Sequence, residues 1–257
     1  MTEVEKEQLE IPALFIGHGS PMNAILDNPF TQMLKNIAEN MPKPKAILVI
    51  SAHWLESENL LSTLGEAETI YDFGGFPKEL YEISYPVQGS KVLAALLGLP
   101  TIKRGLDHGA WTVLKHMYPK ADIPCMQMSI DYKLSLQEHF EFGKKLAYLK
   151  KEGILIIGSG ALTHNFQYFD RVNIDAVPNK EAVLFDAYIQ KLVEKKQYEE
   201  LYKLTNNPIT LESVHPTLEH YVPLLYIAGI ASEGQGMKSI YEGVQYGAFS
   251  MRSWKVI

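Results

Sequence analysis

Ala46-Ile47-Leu48-Val49-Ile50-Ser51-Ala52 leaves the breaker segment Met41-Pro42-Lys43-Pro44 as an unbroken apolar run and ends on His53-Trp54. A strand with one wet face alternates apolar and polar residues, whereas a strand covered on both faces does not. Three other runs share this character: Ala13–Gly17 after Pro12, residues 124–130 and residues 153–158. Buried strands of this kind predict a mostly parallel or mixed central sheet flanked by helices.

The segments between these strands read as the helices. Asn28-Pro29 supplies an N-cap and a first-turn proline for a helix to about Glu39. Residues 136–151 carry an apolar stripe at Phe140, Leu146 and Leu149, with Gly153 as terminator. Residues 180–204 set Leu184, Phe185, Tyr188, Leu192 and Val193 close to helical spacing, which predicts one long amphipathic helix. Pro223 bars a helix that began much earlier, so another is expected from near His220 or Tyr221 to about Ala228. Residues 240–257 read as two late strands joined around Gly247. The order is largely β-α-β, an α/β chain forming a single catalytic domain over residues 1–257, with antiparallel strands added at an edge.

Composition narrows the function. The 257 residues carry 24 basic and 30 acidic side chains, a net charge of -6, without the basic footprint that phosphate backbones demand, so nucleic acid is not an expected partner. Cys125 is the single cysteine, which excludes an internal disulfide and a multi-cysteine metal site. No apolar run approaches the roughly 18 residues that span a bilayer, and no charged stretch leads into a signal core, so no membrane partner and a cytoplasmic location are expected. A phosphate loop, a dinucleotide fingerprint and a Gly-x-Ser-x-Gly nucleophile elbow are all missing.

The eight histidines are the chemical signal. His18 follows Leu14-Phe15-Ile16-Gly17 at the carboxyl end of a buried strand, where open α/β sheets bind ligands. His53 repeats that placement at the end of the Ala46 run, and two imidazoles ending neighbouring strands can converge on one ion. Neutral imidazole suits zinc and iron(II), but two ligands need a third. His164 follows the 153–158 strand through a Gly-Ser-Gly turn, and His108 precedes a helical stretch from Trp111 to Met117. His220 lies near the start of its helix, where the dipole keeps the ring neutral, and Glu219 beside it is an equally competent metal donor. His116 and His139 fall inside helices and read as packing or surface residues, while His215 is undecided. Residues 71–86 form an irregular segment loaded with aromatics, either packing over a core edge or walling a flat, partly apolar ligand.

These stretches together resemble the class III extradiol ring-cleavage dioxygenases, in particular the 4,5-DOPA dioxygenase extradiol-like group. The resemblance rests on His18-Gly19-Ser20-Pro21-Met22, Ser51-Ala52-His53-Trp54, Tyr71-Asp72-Phe73-Gly74-Gly75-Phe76-Pro77, Leu106-Asp107-His108-Gly109, His164-Asn165, Pro216-Thr217-Leu218-Glu219-His220-Tyr221-Val222-Pro223-Leu224-Leu225 and Gly247-Ala248-Phe249-Ser250-Met251. They run across nearly the whole chain in the family's order.

The resemblance implies that His18, His53 and His220 are metal ligands, that His164 is the acid–base residue and that His108 meets the substrate. Tyr71, Phe73 and Phe76 would contact the substrate ring. It further implies a non-haem iron(II) cofactor, with zinc able to occupy isolated protein, and a small aromatic diol and O2 as substrates, L-DOPA among the candidates. A homo-oligomer is compatible with the sequence. Two other readings stay open on the same residues: a zinc-dependent hydrolase that activates water, and a non-enzymatic interaction protein that retains the scaffold.

Overall fold

The computed structural model describes residues 10–205 and 207–257. Six strands form the main sheet in the spatial order Cys125–Asp131, Ala46–Glu56, Ile154–Gly160, Ala13–Gly17, Ser253–Val256 and Met237–Tyr241. The first four are parallel. The last two are antiparallel additions, so the chain's final strand lies inside the sheet, beside one of its first. Every residue of Ala13–Gly17 and of Ile154–Gly160 is buried, as unbroken apolar runs require.

Alternate side chains along these strands feed two cores. Leu14, Ile16, Ile47, Val49, Leu155 and Ile157 face the helices Pro29–Glu39 and His108–Met117 through Phe30, Leu34, Trp111 and Leu114. Ala13, Phe15, Leu48, Ile50, Ile154 and Ile156 face Leu136–Leu146, Lys180–Glu194 and Val222–Ser232 through Phe140, Phe185, Leu224 and Ile227. The result is the α/β domain expected, with one sheet between two helical layers. No helix among the described residues is long and apolar enough to cross a membrane.

Four local expectations change. The helix foreseen over 180–204 ends at Glu194 because Lys196 takes a left-handed conformation (φ 54°), and a separate turn of helix follows at Glu200–Lys203. The helix at 136–151 is regular only to Leu146 and tightens into a 3₁₀ turn over Ala147–Lys150. The late strands are Met237–Tyr241 and Ser253–Val256, and Gly247 turns only a small ladder between Val244–Gln245 and Phe249–Ser250. The helix near His220 spans Val222–Ser232, with Pro223 in its first turn, so His220 lies just before the helix. His139 and His116 are packing residues as expected: His139 shares a hydrogen bond with the Tyr226 hydroxyl, and His116 with the Asn23 carbonyl.

Val222–Ser232 is apolar all round and buried from Val222 to Ala231, the signature of a helix inside a core. It crosses Leu136–Leu146 backbone to backbone. A Cβ on Gly143 would stand 2.2 Å from the Tyr226 carbonyl oxygen, a contact that backbone cannot yield to cheaply. Gly143→Ala should therefore destabilise the fold by about 1–3 kcal/mol, the usual cost of overpacking. A thermal melt followed by circular dichroism should show a midpoint lower by several degrees, and an unchanged midpoint would mean that the two helices can move apart freely.

Candidate active site

His18 and His53 come from strands that are not adjacent: Ile154–Gly160 runs between them. At the level of the histidines that intervening strand carries Gly158-Ser159-Gly160, so no bulky side chain separates the two rings. His53 also does not end its strand, which continues to Glu56. It sits where the register against Cys125–Asp131 slips between Ile50 and Leu55, an irregularity of the kind that re-aims side chains near functional sites.

His220 is brought in by a backbone contact. A Cβ on Gly160 would lie 2.2 Å from the His220 carbonyl oxygen, and that oxygen accepts the Ala161 N–H at 2.9 Å. Glycine at position 160 thus lets the turn before Val222–Ser232 seat directly on the strand end. The ligand-capable atoms of His18, His53 and His220 consequently lie within 4.8 Å of one another.

Partners on the far side of each ring decide which nitrogen is free. The Ser159 hydroxyl donates to the Gly109 carbonyl, so its oxygen is left to accept from His18 Nδ1 at 2.8 Å. Glu219 Oε1 stands 3.2 Å from His220 Nδ1, and Asp72 Oδ2 stands 3.5 Å from His53 Nδ1. Acceptors at hydrogen-bond distance place the proton on Nδ1 of His18 and His220, and the longer approach of Asp72 favours the same tautomer for His53, so that the Nε2 atoms face one another. Two of these, on His18 and His53, are 3.2 Å apart, and the third, on His220, is buried with no hydrogen-bond partner.

The electrostatics agree with that assignment. Burial first, and then the neighbouring histidines, hold His18 and His220 well below the ordinary histidine range. His53 is lowered by burial and by His108, against the opposing pull of Asp72. Three neutral rings with converging lone pairs repel one another, and a buried acceptor without a donor is costly. A cation among the three Nε2 atoms removes both penalties, so the donor set fits a divalent iron or zinc ion.

His164 lies flat on His220, with ring centroids 3.6 Å apart and planes at 6°, and Phe249 stacks on His164 at 4.9 Å. Its backbone N–H donates to the Val214 carbonyl at 2.8 Å. Burial, followed by the influence of His108, pushes its imidazole down to about 4. His108 opens the helix His108–Met117, three residues earlier than the sequence suggested, and its ring is 4.0 Å from that of His53. Phe73 meets His108 edge-on at 5.6 Å, while Tyr71 and Phe76 pack against Phe73.

His215 is apart from this cluster. Its Nε2 bonds the Leu162 carbonyl at 2.6 Å and its ring lies against Phe185 and Tyr221. Glu219 is beside His220 as anticipated, on the Nδ1 side of the ring. Cys125 is buried, and burial pushes its thiol up, which suits a small core residue and no nucleophile.

Three groups escaped the sequence. Asp72 accepts from the His108 N–H and from His108 Nδ1, at 2.9 and 2.8 Å. Burial opposes its ionisation, but the hydrogen bonds and charges of His108 and His53 prevail and hold its carboxyl at about 2. Asp107, fully buried, accepts the Ser51 hydroxyl and the Gln127 amide and braces the start of the His108 helix. Ser159 orients His18. Asp72 and Asp107 stood inside stretches that carry the family resemblance and Ser159 inside the Gly-Ser-Gly turn, with no local signal to pair any of them with its partner.

Residues 12–252 match the family model described as the catalytic LigB subunit of aromatic ring-opening dioxygenase. The chain is 40% identical to a 4,5-DOPA dioxygenase extradiol of Escherichia coli (strain K12), over 96% of this chain and 94% of that protein. It is 38% identical to the protein of the same name from Beta vulgaris, over 94% of each. A crystal structure of an uncharacterized protein from Escherichia coli K12 superposes with a TM-score of 0.82 at 34% identity, covering 96% of this chain and all of the other. The chain belongs to the LigB family of class III extradiol ring-cleavage dioxygenases, in its 4,5-DOPA dioxygenase extradiol-like group.

Proposed function

We infer that the protein is a non-haem iron(II) extradiol dioxygenase that opens the aromatic ring of a catechol with O2, acting as one catalytic domain. The observation that carries the metal reading is the convergence of three Nε2 atoms, that of His220 buried with no hydrogen-bond partner, each ring with an acceptor on its Nδ1 side. His18, His53 and His220 would hold the ion. Bound there, iron(II) supplies the redox chemistry that lets a spin-paired diol react with O2, which zinc with its filled d shell does not.

The protein's own groups do the rest. The three histidines enter neutral, so they need not lose a proton before ligating. His164, neutral as well, takes a proton from the diol at its exposed ring nitrogen and returns it when the ring opens beside the diol to a semialdehyde. His108, its Nδ1 engaged by Asp72, offers Nε2 to a substrate hydroxyl. Phe73, backed by Tyr71 and Phe76, gives the substrate ring an apolar face and excludes water beside His108.

The test is anaerobic loading with iron(II), then oxygen uptake and product mass across L-DOPA, protocatechuate and unsubstituted catechol. Uptake with a product heavier by both atoms of O2 is expected from at least one catechol. Protein loaded with zinc should bind a catechol and consume no oxygen. Absence of uptake with every substrate, at verified iron occupancy, would sink the dioxygenase assignment and return the hydrolase and the interaction protein to consideration.

A further inference from the structure

We propose that Asp72 is a positioning residue that ties the aromatic segment 71–86 to the metal site by sharing one carboxylate oxygen between His53 and His108. This rests on the ligand assignment above and deepens it, because nothing in that assignment requires a carboxylate at position 72.

Two hydrogen bonds from His108 and a longer approach from His53 meet this one side chain. The His108 backbone N–H reaches Oδ1 at 2.9 Å, His108 Nδ1 reaches Oδ2 at 2.8 Å, and His53 Nδ1 stands 3.5 Å from the same Oδ2. The rings belong to different elements, one on the Ala46–Glu56 strand and one at the head of the His108–Met117 helix. The side chain of Asp107, the residue in the cap position of that helix, makes no capping bond. Asp72 reaches in from another part of the chain and takes over that function, where free N–H groups and the helix dipole favour a carboxylate.

The number of donors fixes the chemistry of the acceptor. A carboxylate accepts both His108 bonds and still turns an oxygen toward His53 Nδ1, whereas an amide of the same shape has one oxygen and an NH2 group. An asparagine at this position would have to turn its NH2 either on the His108 backbone N–H or on the two Nδ1 atoms. In the first case two donors face each other, and in the second both rings lose the partner that keeps the proton on Nδ1. Asp72 thus holds His53 with Nε2 free for the ion and His108 with Nε2 free for substrate.

Its neighbours in sequence extend the link to substrate. Tyr71 and Phe73 flank Asp72, and Phe73 packs on the ring of His108. The Tyr71 hydroxyl donates to the Ile83 carbonyl at 2.6 Å, which ties this end of the segment to its far end. Asp72 as a whole residue is exposed, but its side chain, 21% accessible, is turned in toward the two rings. A catechol ring seated on Phe73 therefore presses on the same segment that orients a metal ligand.

The decisive variant is Asp72→Asn, which preserves volume and removes one acceptor. In metal-free protein labelled with ¹⁵N-histidine, NMR of the wild type should show His53 and His108 with the proton on Nδ1, and Asp72→Asn should shift at least one ring to the other tautomer or to exchange between the two. Chelator competition under anaerobic conditions should show iron(II) held about 10–100-fold more weakly by Asp72→Asn, the cost typical of losing an outer-sphere partner, with the thermal midpoint little changed. A merely space-filling role would be rescued by asparagine, so iron(II) affinity within about two-fold of wild type would overturn the proposal. So would a wild-type spectrum with either ring protonated on Nε2, a result that needs no variant to fold. Wild-type protein that shows both Nδ1 protons but binds no iron(II) would instead refute the ligand assignment and the metal half of this proposal, leaving the orientation of the two rings by Asp72 in place.

Discussion

His220→Ala is expected to cost the protein its iron. Two imidazoles remain in that variant, and two neutral nitrogen ligands from opposite sides of an intervening strand do not hold a divalent ion against water. Iron(II) affinity should fall by more than the roughly 100-fold that marks the loss of an outer partner. Oxygen uptake with any catechol should drop to the background of free iron. Anaerobic dialysis followed by metal analysis checks this directly. The metal-free variant should still fold, because wild-type Nε2 of His220 has no hydrogen-bond partner to lose and its removal thins a cluster of mutually repelling rings. His18→Ala and His53→Ala should behave alike. His215→Ala is the contrast: its ring bonds Leu162 and lies outside the cluster, so iron should be retained. Stoichiometric iron in His220→Ala would transfer the third position to another donor, and Asp72 and His108 already bring ligand atoms within 4.8 Å of His53.

The second large effect belongs to His164. Replacing it with alanine should lower kcat by about 10²–10⁴-fold, the usual contribution of a positioned proton-transfer group, while the bound iron is unchanged. Two functions of the ring need separating, since it both carries nitrogen and fills the gap between His220 and Phe249. His164→Phe keeps the stack and removes the nitrogens. Equal losses in the phenylalanine and alanine variants would assign the effect to proton transfer. Recovery in the phenylalanine variant alone would assign it to holding His220 in place. Full turnover in both would remove His164 from the chemistry.

Much of the fold was legible because its strands announce themselves. Ala13–Gly17, Ala46–Glu56, Cys125–Asp131 and Ile154–Gly160 carry long apolar runs, and the Asn28-Pro29 start of a helix carries its own cap. What escaped depends on distant contacts. Lys196 enters a left-handed conformation inside a segment whose apolar spacing continues past it, so no local signal marks the break. The register slip that aims His53 exists only once Ala46–Glu56 has paired with Cys125–Asp131. The histidines were visible as residues at strand ends, but their division into ligand, base and substrate contact came from family resemblance. Ser159 and Asp72, which decide which nitrogen each ring presents, meet their histidines across 141 and 36 residues of chain and could not be paired by spacing.

The final strand, Ser253–Val256, lies between Ala13–Gly17 and Met237–Tyr241. Its place ties the site to long-range folding. The strand that leads into His18 is flanked by Ile154–Gly160 on one side and by Ser253–Val256, far downstream in sequence, on the other. Pairings this remote in sequence form slowly, since loop closure precedes their reward. His18 and His53 lie early in the sequence, whereas His220 and the strand that closes the sheet beside Ala13–Gly17 lie far along it. The three rings converge only once the sheet has closed, so the histidine cluster is a product of long-range folding and of no local segment.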